Sequence, residues 1–376
     1  MTVVVKQVTA GTHRVVPPEE TWARVAPLLP AMGITRVADL TGLDVLGIPV
    51  FQAVRPNART LSVSQGKGIT PELARVSAVM ESIETWHAEE LGPAALEATV
   101  AEMAPLLPYS VFDLPRPPRS LLSPATRLGW VAARPLAGGE PTWLPRQCVR
   151  MDSSEPAGFA PPLLLSNSNG LASGNTVAEA LLHGLYEVLE RDARARAPQD
   201  RSGLEVDAAT VAGTSAGLLE RFAAAGVHVR VYDLTPMAGL PCYETLIWGA
   251  DLPVRFGGWG CHRDADVALS RALTEAAQSR LTMIAGTRDD LPGEAYDWVS
   301  ERSRLRVPFP EPRPRCVFPA GSAEAAGSLE EDLRMVAETI AGRAAGAVCW
   351  VDLTRPEFGV PVVRVVAPGL HIVQGH

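Results

Sequence analysis

One unit recurs three times in this chain, and a repeat constrains a fold more tightly than composition does. It reads VADLTGLDVLGIPVFQAVRP from Val37, VYDLTPMAGLPCYETLIWG from Val231 and WVDLTRPEFGVPVVRVVAPG from Trp350. Each copy has an apolar lead-in, an Asp-Leu-Thr (Asp39, Asp233, Asp352) and a short variable loop. A Gly-[Ile/Leu/Val]-Pro follows (Pro49, Pro241, Pro361), then a second apolar run. Apolar runs flanking a turn-rich loop predict β-hairpins, and proline at the head of a strand costs no ladder bond. The first two hairpins are expected to run on to helices near 71–90 and 264–285. The chain therefore reads as one α+β domain of repeated hairpin and helix units, with mixed or antiparallel sheets, over residues 37–376. Residues 1–36, with PEETWARVAPLLPAMG, predict a helical extension. Proline restricts itself and its predecessor, so 104–147 and 286–322 are expected to be irregular insertions. Residues 323–346 predict a further amphipathic helix.

Composition narrows the function. With 376 residues, 47% hydrophobic and 20% charged, the chain suits a soluble globule with a large core. A net charge of −8 without a basic stripe argues against nucleic acid as a partner. Five scattered cysteines without CxxC spacing argue against a disulfide framework or zinc knuckle and fit a reducing compartment. MTVVVKQVTAGTHRVV lacks the apolar core of a secretion signal, and no run reaches membrane-spanning length. A cytoplasmic location, with no membrane partner, is the expectation. GxSxG and HExxH are absent, so acyl-enzyme and zinc-hydrolase chemistry find no support.

Three helices share a design. In NTVAEALLHGLYEVLERDA (175–193), with Glu179 at zero, Glu190 falls at about 20°, His183 about 40°, Glu187 about 80° and Arg191 about 120°. Asn175 falls at about −40°, while Leu181, Leu185, Val188 and Leu189 take the opposite arc. In PELARVSAVMESIETWHAEE, Ser77, Glu81 and Glu84 share one face; in VALSRALTEAAQSRLTMIAG, Arg271, Glu275 and Gln278 do. A capping box at Thr176 and Glu179, or exposed i,i+4 pairs, would explain single residues blandly. The 77–84 face, with two carboxylates and a hydroxyl but no lysine, points instead to a hard cation. Mg²⁺ takes oxygen ligands and usually holds substrate phosphates as well. Arginines such as Arg191 and Arg271 would meet phosphate oxygens. Lys67 stands between two glycines before a helix, where backbone N–H groups favour anions, although no Walker A loop is present. SNSNGLASGNTVAEA presents Gly, Ser and Asn at the next helix entry.

Taken in order, GKGITPELARVSAVMESIETWHAEE, SNGLASGNTVAEALLHGLYEVLERDA and ALSRALTEAAQSRLTMIAGTRDD resemble the YcaO family, from about residue 37 onward. The resemblance implies ATP held through Mg²⁺ ions on glutamates rather than by a P-loop. S-x-x-x-E-x-x-E matches Ser77, Glu81 and Glu84; N-x-x-x-E matches Asn175 and Glu179. E-x-x-E-R matches Glu187, Glu190 and Arg191, and R-x-x-x-E matches Arg271 and Glu275. Expected ATP contacts are thus Lys67, Ser77, Glu81, Asn175, Arg191 and Arg271. Expected Mg²⁺ ligands are Glu84, Glu179, Glu187, Glu190 and Glu275. One departure is Ala172, where some members carry a phosphate-touching serine; Ser173 or Asn175 would compensate. The family phosphorylates a peptide amide oxygen after a nucleophile attacks the carbon, giving an azoline, an amidine or, with a sulfur donor, a thioamide. The ending VAPGLHIVQGH lacks the proline-rich tail of many azoline-forming members, which favours a thioamide-forming member with a TfuA-type partner, or a stand-alone cyclodehydratase. No separate leader-binding domain is expected in the residues before Val37. Expected partners are a precursor peptide, a TfuA-like or leader-binding protein and a second copy of the chain. The alternative is a non-catalytic accessory that binds nucleotide or peptide and regulates a partner.

Overall fold

The computed structural model describes residues 6–9, 11–153, 162–252, 254–288, 293, 296, 311–319 and 328–372. A hairpin, β1 (Gln7–Thr9) and β2 (Thr12–Arg14), precedes helix α1 (Pro18–Val25). The first repeated unit follows as β3 (Arg36–Asp39), β4 (Val50–Val54), β5 (Val63–Lys67) and α2 (Pro71–Glu89). Then come β6 (Leu96–Thr99), the one-turn α3 (Val100–Met103), β7 (Arg127–Pro135), β8 (Thr142–Pro145), β9 (Leu171–Ser173) and α4 (Val177–Arg196). Helix α5 (Thr214–Ala224) leads into the second unit: β10 (Val227–Asp233), the one-turn α6 (Thr235–Ala238), β11 (Cys242–Gly249), β12 (Phe256–Cys261) and α7 (Ala265–Ala285). Helix α8 (Leu329–Ala341) precedes β13 (Cys349–Asp352) and β14 (Val362–Val366).

All three expected hairpins form, β3–β4, β10–β11 and β13–β14, each antiparallel. The motif explains itself as a loop clamp. Asp39, Asp233 and Asp352 accept from the N–H of the threonine two residues on, at 2.8, 2.8 and 3.0 Å. Those threonine hydroxyls in turn accept from Val50, Cys242 and Val362, the residues after each proline, at 3.2, 3.3 and 3.2 Å. Side-chain oxygens thus satisfy backbone donors that the loop would otherwise strand.

The hairpins do not run straight to helices, as expected from sequence; a third strand intervenes. β5 pairs with β4, and β12 with β11. These strands, VSQGK and FGGWGC, look like turns because of their glycines. Here glycine serves packing instead: a Cβ on Gly66 would overlap the Ala78 nitrogen, and one on Gly260 the Ala268 carbonyl. Strand and helix backbones touch where no side chain intervenes. The GKG segment is therefore the end of a strand and its seam with α2, with Lys67 as the last residue of β5.

The third unit is permuted. β14 pairs with β9, which runs into α4, so the strand and helix that complete the last hairpin come from earlier in the chain. Equivalence is close. Val50 faces Lys67, Cys242 faces Cys261 and Val362 faces Ser173. The carbonyls of Pro49, Pro241 and Pro361 accept from Gly68, His262 and Gly174 at 3.3, 3.0 and 3.1 Å. The helix caps coincide too: Thr70, Thr176 and Asp264 each accept from the first turn. Thr70→Ala should lower unfolding free energy by about 1 kcal/mol in a urea titration.

Each long helix has its own core. Ala78, Val79 and Ile83 of α2 pack with Trp130 and Leu144; Leu185 and Leu189 of α4 with Val363 and Val365; Leu269 and Leu273 of α7 with Phe222 and Ile247. Besides its own helix, each third strand lies against the next: β5 on α7, β12 on α4, β9 on α2. The three units close a ring.

The segment 104–147, expected to be irregular, is so only to about residue 126. β7 and β8 then form a hairpin within the larger sheet β6-β7-β13-β14-β9. The alternation in RLGWVAARP, past the last proline cluster, is what pairs. Most of 286–322 lies outside the described residues, although Phe318 is buried in the α7 core. Residues 11–36 join the same body, with Val25, Leu29, Met32 and Ile34 in the α2 core. Among the described residues, no helix is long and apolar enough to cross a membrane.

Candidate active site

Because caps and strands coincide, the polar faces of the three helices superpose residue for residue. Counting from Thr70, Thr176 and Asp264, one position holds Ser77, His183 and Arg271. The next turn holds Glu81, Glu187 and Glu275, and the one after holds Glu84, Glu190 and Gln278. The ring brings these faces together. Lys67, ending β5, pairs with Glu275 of α7. Ser173, the same residue of β9, donates to Glu84 of α2 through N–H at 2.8 Å and Oγ at 2.6 Å. Their equivalent on β12 is Cys261, which is buried.

Electrostatics confirm one cluster. Burial, then repulsion from Glu81 and Glu187, pushes the Glu84 carboxyl up to about 8 despite the Ser173 hydroxyl. Burial and Glu275 push Glu190 up to about 7. Burial also raises Glu81 and Glu187. Against the same burial, Lys67, Arg191 and Arg271 hold Glu275 low. Arg191, 3.8 Å from Glu187, is held up by Glu187, Glu190 and Glu275. Carboxyls that rise this far are acids with too little positive charge around them. Arg271 donates to His183 Nε2 at 3.0 Å. Burial and that arginine drive His183 far below its usual range, so it is a neutral acceptor.

Two expected residues already have partners. Glu179 is buried, and its oxygens accept from Val15 N–H at 3.0 Å, Asn175 Nδ2 at 3.1 Å and Arg14 at 3.4 Å. Asn175 Oδ1 accepts from Thr21 Oγ1 at 3.0 Å and Arg24 Nη2 at 2.8 Å. In this structure both latch the N-terminal segment to the α4 entry. An ion at Glu179 would have to displace those donors. Ala172 packs toward Gly184, and Ser173 is the hydroxyl that faces the cluster. Ser77 is half-buried on the same face as Glu81 and Glu84. The sequence places His183 and Gln278 on the polar faces and offers Ser173 as a compensating hydroxyl, without assigning His183 or Gln278 a contact; their equivalence across the three units appears only in the structure.

Among the described residues, no three His, Cys, Asp or Glu side chains converge tightly enough to hold a metal alone. Half-assembled carboxylate pairs still fit Mg²⁺, which is reluctant to dehydrate and usually shares its sphere with phosphate oxygens. The acidic cluster with basic Lys67, Arg191 and Arg271 beside it suits a metal–polyphosphate complex.

The profile of the YcaO cyclodehydratase family, described as binding ATP and Mg²⁺, matches residues 65–371. A protein of Mycobacterium tuberculosis is 41% identical over 369 residues, covering 96% of this chain and 83% of that one. A protein in the tfuA 3′ region of Rhizobium leguminosarum bv. trifolii is 35% identical over 380 residues, covering 96% and 89%. Among solved structures, YcaO from Methanopyrus kandleri bound with AMPPCP and Mg²⁺ superposes with a TM-score of 0.68 at 26% identity, covering 98% and 95%. The chain belongs to the YcaO family, and ATP and Mg²⁺ are the cofactors that membership brings.

Proposed function

We propose that the chain uses ATP to activate a backbone amide of a ribosomally made peptide, forming a thioamide with a TfuA-type partner. Azoline or amidine formation is the other outcome open to the same site. The observation that carries the reading is the superposed set Glu81, Glu84, Glu187, Glu190 and Glu275: burial raises the first four carboxyls, while Lys67, Arg191 and Arg271 hold Glu275 low. A relative lying in a tfuA 3′ region supports the partner. Glu84, Glu187, Glu190 and Glu275 hold Mg²⁺, while Lys67, Arg191 and Arg271 meet phosphate oxygens. Ser77 and Glu81 complete the nucleotide contacts on α2, and Asn175 with Glu179 forms a second set once the N-terminal donors move aside. Bound ATP supplies the phosphoryl group that turns amide oxygen, a poor leaving group, into a good one. The test is calorimetric titration with Mg²⁺·AMPPCP, then ADP release with candidate peptides. No binding sinks the reading; binding without turnover moves it to the accessory alternative.

Protons should report on the ions. At neutral pH, until a cation arrives, Glu84, raised to about 8, is mostly protonated, and Glu190, raised to about 7, is protonated in part. Mg²⁺·AMPPCP binding should therefore release protons near pH 7 and tighten from pH 6 to 9. Titration in buffers of different ionisation heat reads both. Above about pH 7, where the lowered His13, His87, His183 and His262 no longer distinguish fold from unfolded chain, Glu84 and Glu190 leave the ion-free fold with more protons, so its stability should fall as pH rises there, and Mg²⁺·AMPPCP should remove that slope. Proton uptake, or binding that weakens with pH, would contradict the assignment.

A further inference from the structure

One buried arginine has its charge unspent. Arg364 on β14 occupies the place of Gln52 on β4 and Glu244 on β11, two residues past the equivalent Val362, Val50 and Cys242. Its counterparts are satisfied: Gln52 Oε1 accepts from Thr287 at 2.9 Å, and Glu244 accepts from Arg201 at 2.8 Å. Arg364 is 4% exposed, and its Nη2 donates to Asn167 Oδ1 at 3.3 Å. Nε and Nη1 have no partner, and the guanidinium forms no ion pair among the described residues. Nearby, Asn169 Oδ1 is buried and equally unpartnered.

These groups line a cavity of about 30 Å³, which Cys148, Leu165 and Val188 also wall. That is room for one species of about the size of water or slightly more. A buried, unbalanced charge with orphaned donors is costly unless something fills the site. An anion that accepts from Arg364 and donates to Asn169 Oδ1 would satisfy both groups and balance the charge. Soft walls, a thiol among them, favour a polarisable ion over water. Burial lowers Arg364 only to about 10, so it is charged at neutral pH. Its charge is felt at Glu187, the residue before the cavity-wall Val188 on α4.

We propose that this cavity holds hydrosulfide, the attacking nucleophile of thioamide formation, a step that rests on the function proposed above. The sulfur lone pair bonds to the amide carbon as the carbonyl pair moves to oxygen. That oxygen takes the γ-phosphoryl group, releasing ADP; the C–O bond then breaks, and hydrogen phosphate departs with the oxygen and the proton brought by sulfur. Amide, hydrosulfide and ATP become thioamide, ADP and hydrogen phosphate, with no change of oxidation state.

Bromide, singly charged and near hydrosulfide in size, is the probe. Crystals of the full chain with Mg²⁺·AMPPCP, soaked in sodium bromide, should show an anomalous peak within hydrogen-bonding reach of Arg364 Nε and Nη1. Sodium hydrosulfide should displace it, and Asn169→Asp, which sets a carboxylate opposite the guanidinium, should abolish it. Kinetically, Arg364→Lys should raise KM for hydrosulfide at least about tenfold with the Kd of Mg²⁺·AMPPCP unchanged. Water in the cavity, bromide that hydrosulfide fails to displace, or equal losses in both constants would overturn the proposal. Failure of Mg²⁺·AMPPCP to bind would instead sink the functional reading.

Discussion

Glu190→Ala and Glu84→Ala each cut ATP turnover by at least about a hundredfold while the chain still folds. The two residues hold one superposed helix position, on α4 and α2, and both face the cluster rather than a core. Burial penalises both charges. Removing either should leave cooperative unfolding intact; Glu190→Ala should keep ion-free stability at pH 8 equal or higher, whereas Glu84→Ala leaves the buried Ser173 donors unpaired and should cost about 1–3 kcal/mol. Removing either should also strip an oxygen ligand from an ion that neutralises transferring phosphate. The readouts are ADP release, circular dichroism and thermal unfolding of each variant. Full turnover in both variants would refute the glutamate assignment; collapse of the fold in both would make them structural instead.

The second large effect is on the fold. Gly66→Val should leave the chain misfolded or insoluble, whereas Gly42→Ala, on an open loop where a Cβ meets nothing within 4 Å, should change little. At position 66 a side chain would run into the backbone of α2 at Ala74 and Ala78, and backbone cannot rotate aside as a side chain can. Overpacking of this kind typically costs about 1–3 kcal/mol, and more where both partners are main chain. Soluble yield and urea midpoint report it. A soluble Gly66→Val with an unshifted midpoint would mean that the β5–α2 seam is looser than described.

Local chemistry was legible in the sequence. Asp39, Asp233 and Asp352 are clamps within a few residues of their partners, and the helix faces follow from a 3.6-residue period. What depends on contacts between distant residues was not. The third strands β5 and β12 were not expected between hairpin and helix, because nothing local marks a glycine-bearing strand pressed on a helix. The permuted third unit joins β9 and α4 to a hairpin almost two hundred residues on in sequence, and no periodicity crosses that gap. The resemblance marks Asn175 as an ATP contact and Glu179 as a Mg²⁺ ligand, but no local pattern shows that Arg14, Val15, Thr21 and Arg24 bond to them in this structure. Arg364 sits in VVRVV, where sequence gives no sign that a guanidinium is left half-satisfied.

The superposed glutamates carry the account, and a crystal structure of the chain with Mg²⁺·AMPPCP tests them most directly. The prediction is Mg²⁺ ions with carboxylate oxygens of Glu84, Glu187, Glu190 or Glu275 at about 2.1 Å, with Lys67, Arg191 and Arg271 on the phosphates. Nucleotide bound elsewhere, or ions that leave all four carboxylates free, would contradict it.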